Sequence, residues 1–151
     1  MFTLQIGDNL VSMSPLPGKF NLLEDISTIK SQGITNVVTL VSNEELAKKN
    51  LNSFMDEMSN AGLEVYHSPI VDFGLPSQGQ MDSIMAYVQN CLDKNKSVWI
   101  HCMGGCGSRC CGMWCYGQEH HEIENPIHIV RDVRGAETIE TTDQEHFVLN
   151  Y

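Results

Sequence analysis

Positive charge is scarce in this chain: 9 lysines and arginines stand against 19 aspartates and glutamates in 151 residues, a net charge of -10. A surface of that sign repels phosphate backbones and anionic headgroups, which argues against nucleic acid and membranes as partners. It suits a partner with a basic surface better than a free polyanion. Long apolar stretches are also missing, and no run approaches the roughly 20 residues of a membrane span. The first residues, Met1-Phe-Thr-Leu-Gln-Ile-Gly-Asp8, have neither the basic start nor the extended apolar centre of a secretion signal. A cytoplasmic setting is expected.

Aromatic residues make up only 7%, yet the apolar fraction of 42% is that of an ordinary globular protein, so disorder is not the default. The length suits one compact domain over residues 1–151. Cysteine is not lacking: Cys91, Cys102, Cys106, Cys110, Cys111 and Cys115 make six. What is absent is a C-x-x-C pair, the usual zinc-ligand spacing, and a cytosolic chain does not favour a disulfide framework. No metal is therefore expected, with a cysteine-rich metal or redox module as the minor alternative. Steps of four residues put several of these cysteines on one helical face, where they read as small buried side chains.

Strand and helix signals alternate. Short strands are expected at Thr3–Ile6 and Leu10–Met13 around the turn Gly7-Asp-Asn9, then at Val37–Val41, Leu63–His67 and Val98–Ile100. Helical spacing runs from about Leu22 to Gln32, and a broken helical stretch follows the capping box Ser42-Asn-Glu-Glu45 to about Asn60. Ser77-x-x-Gln80 caps a helix to about Asp93. Further helices are expected to about His121, over about Pro126–Val133, and from a Thr142-x-x-Glu145 cap to near Tyr151. Arg131 and Arg134 read as a salt-bridged helix face. Such alternation predicts an α/β fold with a mostly parallel central sheet flanked by helices on both faces.

The stretch that carries chemistry is Val98-Trp-Ile-His101-Cys102-Met103-Gly104-Gly105-Cys106-Gly107-Ser108-Arg109. A strand delivers Cys102 to the mouth of a glycine-rich turn ahead of a helix. Backbone N–H groups in such a turn, with the helix N-terminus behind them, hold a phosphate-like anion. The same field favours the thiolate, which is the nucleophile. Asp72, on a proline-punctuated loop, is a candidate general acid that would protonate a leaving oxygen and later activate water. An arginine fork would complete the cradle by bridging two phosphate oxygens. Cys106 or Cys110 would be placed to trap an oxidised Cys102 as a disulfide, although packing is the simpler role for both.

These motifs resemble the cysteine-dependent dual-specificity and protein tyrosine phosphatases, in particular the small kinase-associated type that acts on cyclin-dependent kinases. The resemblance covers nearly the whole chain: Leu16-Pro-Gly18, Ser31-Gln-Gly-Ile34, Pro69-Ile-Val-Asp72-Phe-Gly-Leu-Pro76, His101-Cys-Met-Gly-Gly-Cys-Gly107 and Val130-Arg-Asp-Val-Arg-Gly135, with Ile139-Glu-Thr and Gln144 beyond. It implies a single-domain phosphotyrosine-phosphatase-like fold that hydrolyses phosphotyrosine or phosphothreonine in a protein through a phosphocysteine at Cys102. Asp72 would be the general acid, His101 the support of the thiolate, and residues Met103 to Arg109 the phosphate loop. No cofactor is implied. The partners implied are a phosphorylated protein and, among such proteins, a protein kinase.

One pair departs from the family pattern. Five residues separate cysteine from arginine in the family loop, followed by a hydroxyl residue, whereas this chain has Ser108-Arg109 with six residues before the arginine. A one-residue step along a helix rotates a side chain by about 100°. Two outcomes are open. Gly104, Gly105 and Gly107 absorb the extra residue and return Arg109 to the phosphate, or Ser108 fills the arginine slot. The second would leave a pseudophosphatase that binds phosphoproteins with little turnover.

Overall fold

Gly7, in the left-handed region at φ 59°, turns the chain back on itself, so β1 (Phe2–Ile6) and β2 (Asn9–Ser14) form an antiparallel hairpin with Ile6 opposite Asn9. The remaining elements, in chain order, are α1 (Leu22–Ser31), β3 (Ile34–Thr39), α2 (Asn43–Lys48), α3 (Phe54–Asn60), β4 (Glu64–His67), α4 (Gln78–Asp93), β5 (Ser97–His101) and α5 (Thr142–Asn150). This computed structural model describes residues 2–72, 74–104, 127, 128, 131, 139 and 141–150. Of the helices expected after the glycine-rich turn, the first lies outside the described residues. In the second, Ile127, His128 and Arg131 are described and are helical.

The strands form one sheet in the order β1-β2-β5-β3-β4. The β2–β5, β5–β3 and β3–β4 pairs are parallel, and only the β1–β2 hairpin is antiparallel. The central strand is β5, buried along its whole length, as expected where helices cover both faces of a parallel strand. Side chains alternate between the faces. Val98 and Ile100 join Val11, Met13 and Val38 against Met81, Ile84, Met85 and Val88 of α4, with Val148 of α5 in the same cluster. Trp99 and Val37 face the other way, against Ile26 and Ile29 of α1, Leu46 of α2, and Phe54 and Met58 of α3. Helices therefore cover both faces.

Most local signals act as the sequence suggests. Asn21 caps α1 by accepting from the N–H groups of Leu23 and Glu24, and Ser42 with Glu45 forms a complete capping box on α2. The helical stretch expected up to Asn60 breaks into α2 and α3 at Asn50, whose φ is 59°.

Three expectations shift. The strand expected over Val37–Val41 starts at Ile34 and stops at Thr39. It stops because the Val41 carbonyl accepts from His67 Nε2–H (2.8 Å) and the Ser42 N–H is taken by the Glu45 carboxylate (2.9 Å). The last helix is capped one residue earlier than read: the Gln144 N–H donates to Thr141 Oγ1 (3.2 Å). Glu145, expected as part of that cap, instead forms an ion pair with Arg131. Among the described residues, no helix is long and apolar enough to cross a membrane.

Phe54 is fully buried beneath the centre of the sheet, whereas Phe20 is 92% exposed. Phe54→Ala is expected to lower unfolding stability by about 3–5 kcal/mol, and Phe20→Ala to change it by less than about 0.5 kcal/mol. Urea denaturation of the two variants checks the contrast.

Candidate active site

In an open parallel sheet, ligands bind outside the carboxyl ends of the strands, where loops diverge and backbone groups are unpaired. His101 ends β5, and Cys102 follows it at the centre of that edge. Its neighbours are anchored on both sides. The Leu40 N–H, just past β3, donates to the His101 carbonyl (3.1 Å). The Leu16 N–H, just past β2, donates to the Met103 carbonyl (3.1 Å). The peptide units around Cys102 are thus tied to the segments leaving both adjacent strands. Cys102 is only 3% exposed and belongs to the α4-side core cluster, so its thiol lies at the floor of the edge.

His101 is fully buried. Its ring stacks on Trp99 (centroids 4.7 Å apart) and meets Phe54 edge-on (5.2 Å). Nε2 shares a hydrogen bond with Thr39 Oγ1 (3.1 Å). Nδ1 lies near the backbone of Cys102 without a well-formed hydrogen bond. Burial drives the imidazole pKa down to about 3. Its contact with the Cys102 backbone opposes that shift slightly, and the nearby His67 adds to it. At neutral pH the ring is therefore uncharged.

Asp72 sits on the loop that leaves β4, at the same edge of the sheet. The root of this loop is fixed. The Ser68 and Ile70 N–H groups donate to the Thr39 and Leu40 carbonyls (3.0 and 3.1 Å), and the Gln80 amide donates to Ser68 Oγ (3.1 Å) and the Pro69 carbonyl (3.0 Å). The tip closes through the Gly74 N–H on the Val71 carbonyl (2.9 Å), leaving Val71 and Asp72 exposed. Ser77 caps α4 as the sequence suggests, but the Gln80 side chain is drawn away from that cap to hold the loop.

The structure thus brings His101, Cys102 and Met103 together and carries Asp72 to the same edge. Gly105, Cys106, Gly107, Ser108 and Arg109, together with Cys110, Cys111 and Cys115, lie outside the described residues. At Gly104, among the described residues, an added Cβ would meet nothing within 4 Å. Thr39 and Gln80 were not singled out in sequence. The available signals were a threonine after the valine pair that ends β3 and a glutamine read in sequence only as a helix cap. Cys91, buried on α4, has its thiol pushed up by burial, which makes it a poor nucleophile. Among the described residues, no group of His, Cys, Asp and Glu is arranged to hold a metal ion.

Because folding lowers the His101 pKa, the unfolded chain binds the extra proton between pH of about 6.5 and about 3. Its contribution to stability is complete above the unfolded value and is lost as pH falls through that window. The expected slope is up to about 1.4 kcal/mol per pH unit. His101→Gln is expected to remove that share of the acid sensitivity, read as a flatter dependence of the urea midpoint on pH.

The family model described as "Polymorphic toxin system, DSP-PTPase phosphatase" matches residues 12–120. Cyclin-dependent kinase inhibitor 3 of Rattus norvegicus is 32% identical over 147 residues, covering 91% of this chain and 69% of the relative. Among solved structures, a kinase-associated phosphatase with serine in place of its catalytic-site cysteine superposes with a TM-score of 0.84 at 28% identity, covering 92% of this chain and 83% of that one. Tk-PTP in its active form gives 0.75 at 27% identity, covering 96% and 90%. With a cysteine at the carboxyl end of the central strand and these likenesses across most of its length, the chain belongs to the dual-specificity and protein tyrosine phosphatase family.

Proposed function

We propose that this chain hydrolyses phosphate esters of tyrosine or threonine in a protein through a phosphocysteine at Cys102. The observation that carries the reading is the anchoring of Cys102 at the carboxyl end of the central strand, with both flanking carbonyls engaged by neighbouring segments. A fixed nucleophile suits attack on a tetrahedral anion, because the geometry is set before substrate arrives.

In the first step the Cys102 thiolate forms an S–P bond while the bond from phosphorus to the ester oxygen breaks. The Asp72 carboxyl gives its proton to that departing oxygen. In the second step a water attacks phosphorus, the Asp72 carboxylate takes the water's proton, and the S–P bond breaks. Inorganic phosphate and the thiolate are released, with protons and electrons balanced by Asp72 alone and no cofactor required. Neutral His101 supports the turn from beneath. Arg109, returned to the phosphate by the glycines, would bridge two equatorial oxygens, with the backbone N–H groups from Met103 to Ser108 holding the rest.

The rat relative's name refers to a cyclin-dependent kinase. On that basis a phosphorylated protein kinase is the substrate we propose, reached in the cytoplasm. The order Ser108-Arg109 favours a second reading, in which the fold binds phosphoproteins and turns over little.

Turnover of a small aryl phosphate, with Cys102→Ser as the blank, separates the two. The first reading predicts activity well above the blank and a loss of about 10²–10³-fold in Arg109→Ala, the scale for removing one donor to a transition-state oxyanion. Wild-type activity equal to the blank, with phosphopeptide binding kept, would favour the second.

A further inference from the structure

Next to the Cys102 turn, the segment after β2 and the end of α2 enclose an open cleft of about 360 Å³. Pro17, Leu51 and Met103 supply apolar surface, and Lys19 and Lys49 also line it. Met103 directly follows Cys102, so the cleft begins one residue, about 3.8 Å of chain, from the nucleophile.

One wall of the cleft is pre-formed. Pro15 and Pro17 fix their own φ angles, the Leu16 N–H is held by the Met103 carbonyl, and the Gly18 N–H donates to Asp25 Oδ2 (2.7 Å). Gly18 is needed there on two counts. Its φ is 88°, and an added Cβ would stand 2.9 Å from Leu51 Cδ2. Only glycine lets the segment close this tightly on the leucine.

The charge of the cleft opposes that of the whole molecule. Two of only 9 basic residues in a chain of net charge -10 stand here, and among the described residues neither forms an ion pair. The Lys19 ammonium lies 5.3 Å from the Phe20 ring centroid, a contact that leaves its charge available. A cleft lined by apolar side chains and two lysines complements a side chain with an aliphatic stem and an anionic end.

Resting on the phosphoprotein reading of Cys102, we propose that this cleft is a specificity subsite for a glutamate side chain beside the phosphorylated residue of the substrate. The stem would lie on Leu51, Pro17 and Met103, and the carboxylate would face Lys19 and Lys49. A generally acidic phosphatase would thereby select an acidic sequence at one point of contact.

The test uses short alanine-flanked phosphotyrosine peptides that carry Glu, Gln or Lys at either position adjacent to the phosphotyrosine. They are bound to the Cys102→Ser protein and followed by fluorescence anisotropy at low salt. On one side of the phosphotyrosine, the Glu peptide is expected to bind about fivefold tighter than the Gln peptide. The preference should fade at an ionic strength of about 1 M, where screening acts within about 3 Å. Lys19→Glu with Lys49→Glu should reverse the order of the Glu and Lys peptides. In the protein that retains Cys102, the same double variant should leave aryl phosphate turnover within about twofold of wild type. Equal binding of all three peptides on both sides, or no binding of any, overturns the subsite. If the aryl phosphate is turned over while the peptides bind equally, the subsite fails and the phosphatase reading stands. If the Glu preference holds without turnover, the catalytic reading fails and the subsite stands.

Discussion

The structure depends most on two backbone hydrogen bonds that bracket one residue. The Leu40 N–H holds the His101 carbonyl and the Leu16 N–H holds the Met103 carbonyl. Each is worth only about 0.5–1.5 kcal/mol net. Their importance lies in what they align. The segments leaving β2 and β3 are locked to the turn that follows β5, so three neighbouring strands converge on Cys102. The Asp72 loop joins the same frame through Ser68 on Thr39 and Ile70 on Leu40. Asp72 and Cys102, 30 residues apart in the chain, thereby hang from one short stretch, Thr39 and Leu40, at the end of β3.

Beneath that frame the energetics are those of a dry core. Trp99 and Phe54 enclose the His101 ring, and their burial keeps it uncharged at neutral pH. A charged imidazole there would cost desolvation free energy, with no carboxylate among the described residues acting on it. The packing around His101 is thus apolar, with one hydroxyl, Thr39 Oγ1, on its Nε2. Lys19 and Lys49 supply positive charge beside a site in an otherwise acidic molecule, on a wall held in place by Gly18 and two prolines.

Much of this arrangement could be read from residue order. The apolar run Val98-Trp-Ile, the capping residues Ser42 and Ser77, and the turn at Gly7 are local signals, and local physics decided them. Cys102 at a strand end and Asp72 on a proline-rich loop were legible because a parallel sheet sends all such loops to one edge. Partnerships set by register were not legible. Nothing in Thr39 alone says that it will meet a histidine 62 positions away. Nor does Gln80 say that its amide will leave a helix cap to hold the Asp72 loop. The boundary errors share that origin: β3 ends at Thr39 because a side chain from β4, His67, takes the Val41 carbonyl, and Glu145 leaves its expected cap to meet Arg131.

The central claim is that the bracketed thiol of Cys102 is the atom that takes the phosphoryl group. Rapid acid quench during turnover of a phosphorylated substrate, followed by mass spectrometry of the proteolysed protein, tests it most directly. The account predicts a phosphoryl adduct on the peptide containing Cys102, formed within the first turnover and absent in Cys102→Ser. Steady release of phosphate with no adduct at Cys102, or with the adduct on another residue, would contradict it.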